Sequence, residues 1–264
     1  MKLKVIVAYD GSAFSGWQSQ AHGGAVQDRI EAVLEKITGH RVVVHGSGRT
    51  DSGVHALGQC AHFEVPEGSM APAEWQRALN ANLPATVRIL SARRAGEDFH
   101  ARFSASGKVY RYLICHAPVL PPHEAKRSWH VPHEMDLARL GEAGTIFVGR
   151  HNFSAFTANR GGVVGDAHRT IHEIAVSRRG THLSLTFSGE GFLYKMVRML
   201  VGAMVRAAQG RVDLEDLRGR LTNGGPRWNY VAPADGLYLV RVRYENVQRS
   251  ALVTDANGVA SLPR

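Results

Sequence analysis

Gly48-Arg49-Thr50-Asp51-Ser52-Gly53-Val54-His55-Ala56 sets one carboxylate between a cation and a glycine, and the residues on either side decide how the chain folds around it. Upstream, Arg41-Val42-Val43-Val44-His45 has the β-branched run of a strand. Downstream, Gly58-Gln59-Cys60-Ala61-His62-Phe63-Glu64-Val65 alternates like a second one. Asp51 is therefore expected on a loop between strands over 41–45 and 59–65. Glycines at 46, 48, 53 and 58 free that loop to take positive φ values and to lie close against a ligand. A hairpin loop with a surface Arg–Asp pair is the plainer alternative.

Outward from this loop, the first half predicts a strand over 4–9, helices over 26–38 and 72–81, and a strand over 87–92. In the first helix Val26, Ile30, Val33, Leu34 and Ile37 recur at 3.6-residue spacing, with charged and amide residues between them. The second half repeats the grammar: strand 108–116, helix 136–145, strands 171–178 and 182–190, helices 193–208 and 214–221, strand 236–244. This predicts an α+β fold of two tandem halves, 1–105 and 106–247, whose strands join in one sheet with a cleft where the halves meet. The proline-bearing stretch 118–133 is expected to be an irregular connection. The stretch 159–168, with Gly161, Gly162, Gly165 and the neighbouring Arg160 and Arg169, is expected to be an exposed loop. Residues 248–264 lose hydrophobic periodicity and are expected to form a loosely held tail.

The 264 residues are 44% hydrophobic, enough for a full core. A formal charge of +9 and a pI near 9.9 favour a polyanionic partner, because lysines and arginines that neutralise phosphates release counterions. Cys60 and Cys115 are far apart and each falls in a predicted strand, which argues for buried thiols and against a disulfide framework or a paired-cysteine zinc site. The first residues lead straight into a strand without a signal-peptide pattern, and no apolar run reaches 18 residues, so a cytoplasmic chain with no membrane partner is expected.

The central loop resembles the Gly-Arg-Thr-Asp-x-Gly-Val-His signature of TruA-type tRNA pseudouridine synthases. Four further stretches agree in order: Tyr9-Asp10-Gly11-Ser12-Ala13-Phe14-Ser15-Gly16-Trp17-Gln18; Asp98-Phe99-His100-Ala101-Arg102-Phe103-Ser104-Ala105 with Lys108-Val109-Tyr110-Arg111-Tyr112; Gly191-Phe192-Leu193-Tyr194-Lys195-Met196-Val197-Arg198; and Ala232-Pro233-Ala234-Asp235-Gly236-Leu237. Together they cover roughly 3–245. Ser52 stands where alanine is common, and Asn152 replaces an acidic residue. The resemblance implies a pseudouridine synthase fold with two ferredoxin/RRM-like halves in a continuous, mainly antiparallel sheet. It also implies conversion of uridine to pseudouridine at positions 38, 39 and 40 of the tRNA anticodon stem-loop by a homodimer, with tRNA as partner and no cofactor or metal.

By the same resemblance Asp51 is the catalytic carboxylate, whether as nucleophile or as proton acceptor. Tyr110 is the active-site tyrosine, with Tyr112 on the same strand face as its competitor. Arg198 holds Asp51 charged and oriented, Leu193 walls the uracil pocket, and Arg49 assists base flipping or contacts a phosphate. Read from charge and not from the resemblance, Arg102, Lys108 and Arg111 near the tyrosine strand, with Arg93, Arg94, Lys126, Arg127, Arg178 and Arg179 elsewhere, are expected to form the wider phosphate track. Two rival readings are a non-catalytic RNA-binding module and a metal-dependent hydrolase using His45, Asp51 and His55. The first lacks an RNP1-like motif; in the second the Asp and His sit in a glycine-rich loop rather than on one helix face.

Overall fold

The computed structural model describes residues 1–158, 165–222 and 226–244. Arg160, Gly161 and Gly162 of the glycine-rich stretch and the 248–264 tail lie outside the described residues. In chain order the elements are β1 (Lys2–Tyr9), α1 (Val26–Thr38), β2 (His45–Gly46), β3 (His55–Glu64), α2 (Pro72–Asn82), β4 (Val87–Arg94), β5 (Ala105–Cys115), β6 (Trp129–His130), α3 (Leu137–Ile146) and β7 (Gly149–Asn152). They continue through β8 (His168–Arg179), β9 (His182–Gly189), α4 (Met196–Ala208), α5 (Leu214–Thr222) and β10 (Leu237–Tyr244).

Local chemistry explains the helix ends. The Asp28 carboxylate accepts the Ala25 N–H at 2.8 Å and closes the start of α1. Gly39 ends it in the left-handed region at φ 75°. Val26, Ile30, Val33 and Leu34 of α1 are buried, as their spacing requires. In α3 the predicted first residue, Asp136, is instead the cap, its carboxylate accepting the N–H groups of Ala138 and Arg139. None of the described helices is long and apolar enough to cross a membrane.

All ten strands join one sheet, in the order β4-β1-β3-β10-β5-β9-β8-β7, with β2 on β3 and β6 on β5. Each half builds the same arrangement: β1 lies between β3 and β4, and β5 lies between β9 and β10. The pairing is antiparallel except for β6 on β5 and for β10 on β3, where Tyr238 pairs with His55 and Leu239 with Ala56. One hydrophobic core runs through both halves.

The expected strand over 41–45 contracts to the two residues of β2, which pair with His62 and Ala61. Val42 and Val44 are buried in strand-like alternation, but the backbone bonds elsewhere. The Val44 N–H donates to the Glu31 carboxylate at 2.9 Å and its carbonyl accepts from Gln27 Nε2 at 3.2 Å, so α1 side chains replace the ladder. The first residues of β3, beyond the reach of β2, pair with β10. The expected irregular stretch 118–133 holds the short β6, and β7 was not foreseen because its four residues, Gly-Arg-His-Asn, carry no strand signal.

Residues 96–104 fold back over the face of the N-terminal half. Ala101 donates its N–H to Nδ1 of the buried His62 at 3.1 Å, and His62 packs against the rings of His45 and His100, with centroids at 5.0 and 4.7 Å, which themselves meet at 5.6 Å. Burial, then the neighbouring His100, His45 and Lys2, push the His62 imidazole down to about 4, while Glu64 opposes weakly.

Two outcomes are expected. Gly58 lies where β3 meets β10, and a Cβ there would sit 2.5 Å from the Val240 carbonyl oxygen. Gly58→Ala should overpack the seam by about 1–3 kcal/mol, lowering Tm by about 2–12 °C in a thermal melt; an unchanged Tm would contradict the close packing of this seam. His62 folds as the neutral base, so the unfolded chain binds the extra proton between pH 6.5 and about 4. Its stabilisation is complete above pH 6.5 and is lost as pH falls. Denaturant titrations at pH 7 and 4.5 should show His62→Gln losing about 2 kcal/mol less than the parent chain over that interval.

Candidate active site

The loop from Ser47 to Val54 hangs in the seam between the halves, fastened along its length. Ser47 N–H donates to the Cys60 carbonyl at 2.8 Å, and Gln59 accepts from Ser47 Oγ at 2.6 Å while donating to the Gly48 carbonyl at 2.9 Å. The buried Tyr9 hydroxyl shares a 2.8 Å hydrogen bond with Thr50 Oγ1, and the Trp17 N–H reaches the Thr50 carbonyl at 3.2 Å. Of the four loop glycines, only Gly53 takes a positive φ, 81°. The others serve close approach, as where the Trp17 indole lies against Gly46.

Asp51 stands at the base of a cleft of about 600 Å³, within the usual range for small-ligand sites. Its side chain is 18% exposed and accepts a 2.9 Å hydrogen bond from Arg198 Nη1, whose own side chain is 14% exposed. Arg198 Nε donates at 2.7 Å to the Ala232 carbonyl, so the guanidinium is fixed at two points and cannot swing away from the carboxylate. The Ala232–Gly236 segment is braced in turn by Tyr112, whose hydroxyl donates to the Pro233 carbonyl at 2.8 Å. Tyr112 is thus a buried strut outside the cleft, while Tyr110, two residues earlier, lines it. Burial and then the negative charge of Asp51 push the Tyr110 phenol well above its ordinary range, which keeps it protonated at neutral pH. Its ring meets Phe192 edge to face at 5.2 Å.

Leu193 lines the cleft as expected, but it precedes α4 rather than starting it. Lys195, at φ 59°, occupies the left-handed region and turns the chain sharply, so the helix begins at Met196. The strained turn puts Leu193, Tyr194 and Lys195 on the rim. Arg49 is exposed and lines the cleft, as do Arg102 and Lys108. Burial, then Arg102, lower the Lys108 ammonium, which donates to the Ser47 carbonyl at 3.2 Å. The cations Arg49, Arg102, Lys108, Lys195 and Arg198 outweigh the carboxylates Asp51 and Glu190.

Several expected residues lie elsewhere. Arg111 is not brought to the cleft: strand alternation turns it to the face of β5 opposite Tyr110. Arg93, Arg94, Lys126, Arg127, Arg178 and Arg179 are exposed, and none lines the cleft. Residues that sequence reasoning left without a role include Trp17, Gln18 and Lys195, all on the cleft wall. The first two were visible in the opening motif; nothing in the sequence marks Lys195 as strained.

The trio His45, Asp51 and His55 is not assembled. His45 stacks on His62, while His55 is buried, accepts the Gly11 N–H at Nδ1 and donates to the Lys126 carbonyl from Nε2. Among the described residues, the one grouping of His, Cys and carboxylate donors is Cys115, Glu124 and His182, within 4.8 Å of one another at the end of β5. There Glu124 already accepts from His182 Nε2 and Ser128 Oγ.

A family model described as tRNA pseudouridine synthase matches residues 5–104 and 143–245. The chain is 45% identical over 252 residues to tRNA pseudouridine synthase A of Akkermansia muciniphila, covering 92% of this chain and 95% of that one. It is 42% identical to the protein of the same name from Solidesulfovibrio magneticus, covering 99% and 94% of the two chains. With that of Bacillus licheniformis it shares 39% identity over 93% and 100%. A chain from the crystal structure of a Cbf5-Nop10-Gar1 complex overlies 77% of this chain and 44% of its own length, at a TM-score of 0.36 and 14% identity, too loose a likeness to bear on the site.

Proposed function

The chain belongs to the tRNA pseudouridine synthase family, enzymes that isomerise uridine in tRNA, and from that premise we propose that it acts at positions 38, 39 and 40 of the anticodon stem-loop with Asp51 as its essential carboxylate. The observation that carries the residue assignment is the 2.9 Å pair between Asp51 and Arg198 at the base of a cation-lined cleft walled by Tyr110.

The reaction breaks the bond between ribose C1′ and base N1, turns the uracil and joins C5 to C1′. The C5 proton is lost and N1 gains one. There is no net redox change, so the chemistry calls for no nicotinamide, flavin or nucleotide. Asp51 meets the electron-poor anomeric centre, as carboxylates do in glycoside chemistry. Arg198 orients it. The Tyr110 ring bounds the uracil on one side and Leu193 on another, and the neutral phenol keeps a proton available beside the base.

A uridine in a stacked stem must first leave the stack, at a cost of a few kcal/mol. Arg49, exposed at the cleft, is suited to fill the vacated space or grip the distorted backbone. Arg102 and Lys108 hold neighbouring phosphates. Action at three adjacent positions calls for recognition of RNA shape over base sequence. In this reading Asp51 comes from the half over 1–105, while Tyr110 and Arg198 come from the half over 106–247. The enzyme works as a cytoplasmic homodimer with one tRNA across both subunits.

With uridine-C5-tritiated tRNA transcript in the presence of chelator, the protein should release tritium to solvent. Asp51→Asn should release it at least about 10³-fold more slowly while still binding tRNA. No release by folded protein that binds tRNA would sink the reading. Arg198→Lys keeps a charge but cannot span both Asp51 and the Ala232 carbonyl, so kcat should fall about 10²-fold with little change in KM. An unchanged kcat would remove Arg198 from its orienting role.

A further inference from the structure

We propose that Phe103 is a stacking platform for a nucleobase of the tRNA, next to the one that is isomerised; this rests on the cleft being the tRNA site. Phe103 leaves 76% of its surface in solvent. Loose loops often expose such a ring, but this one is held. His100 Nδ1 accepts the N–H groups of Arg102 and Phe103 at 3.1 and 3.3 Å. The Ser104 N–H donates to the His100 carbonyl at 2.9 Å, and Ser104 Oγ accepts the His100 N–H at 3.0 Å. The Phe103 ring rests on the His100 imidazole, centroids 4.4 Å apart and planes 32° from parallel. His100 packs on the buried His62, which pairs with β1 and β2 through its strand. The exposed ring is thus the outer end of a column of rings rooted in the sheet.

Its position gives the occupant. Arg102, the preceding residue, lines the cleft and holds its guanidinium 5.6 Å from the ring, and Ala105 two residues on also lines the cleft. A held, largely exposed ring with a guanidinium over it, bordering a basic entry, suits a base with its phosphate. Every base has a π-face, so such a contact is tolerant of sequence. A second copy of this +9 chain would bring further positive charge to the same rim, which disfavours it as the occupant.

The test is equilibrium binding of an anticodon stem-loop RNA to the full chain and to Phe103→Ala and Phe103→Trp, with tritium release by the parent chain measured alongside. Phe103→Ala should raise Kd roughly 5- to 100-fold with an unchanged slope of log Kd against log salt, because no phosphate contact is lost. Phe103→Trp should restore affinity, and its extra emission over the parent chain should be quenched when RNA binds. A Phe103→Ala Kd within about twofold of the parent, unquenched emission from Phe103→Trp, or a flattened salt slope would each overturn the proposal. So would a change in sedimentation of RNA-free Phe103→Ala, which would assign the ring to a contact between chains. If the parent chain releases tritium while Phe103→Ala binds normally, only the stacking role falls. Absence of release by the parent chain would bring down the underlying reading as well.

Discussion

The outer edge of β3 carries two partners on one strand, and their division sets the geometry of the cleft. β2 takes Ala61 and His62, and β10 takes His55 and Ala56. In the antiparallel register of β2, residues before His45 would extend past His62 toward Phe63 and Glu64, so His55 and Ala56 could be reached only by a ladder continued beyond Gly46. Past Gly46 the ladder ends with the Ser47 N–H on the Cys60 carbonyl, and Gln59 Nε2 takes the Gly48 carbonyl, so His55 and Ala56 stay free for β10; Glu31 and Gln27 capture the backbone of Val44 at the other end of β2. The loop between β2 and β3 is therefore suspended over the junction, where Asp51 meets Arg198 from the other half.

Charge follows from that placement. A carboxylate alone among cations would be bound by whichever could reach it, but Arg198 is committed by its second bond to the Ala232 carbonyl. Arg49, Arg102 and Lys195 are in no ion pair among the described residues, which leaves their charge to act outward. Burial, more than the neighbouring Asp51 charge, raises the Tyr110 phenol beside the carboxylate.

Much of this was legible in the sequence. The periodicity of Val26, Ile30, Val33 and Leu34 delimits α1 to the residue, because an amphipathic helix between a carboxylate cap and a glycine stop is decided locally. The strand over 41–45 was not, since its valines have strand character while its hydrogen bonds are settled by side chains ten and more residues away. The start of α4 was hidden by one dihedral angle, at Lys195. That Arg111 does not line the cleft was legible too: the alternation that puts Tyr110 and Tyr112 on one face already sends the residue between them to the other. The two tyrosines could be ranked by family likeness, but what separates them physically is that Tyr112 spends its hydroxyl on Pro233, a contact between distant segments.

The parallel seam has a consequence for how the chain comes off the ribosome. β3 is complete by residue 64, yet its partner β10 spans Leu237–Tyr244. At ordinary elongation rates of about 5–20 residues per second, the exposed edge waits roughly 10–35 s for its neighbour. Through that interval the nascent N-terminal half presents a short unpaired ladder next to a Gly-rich loop, the kind of edge that invites a wrong strand. The exposure is confined to a few residues because β2 bridges the far end of β3. By covering Ala61 and His62 while leaving His55 and Ala56 to the second half, β2 thus also limits what a stray chain can grip before that half exists.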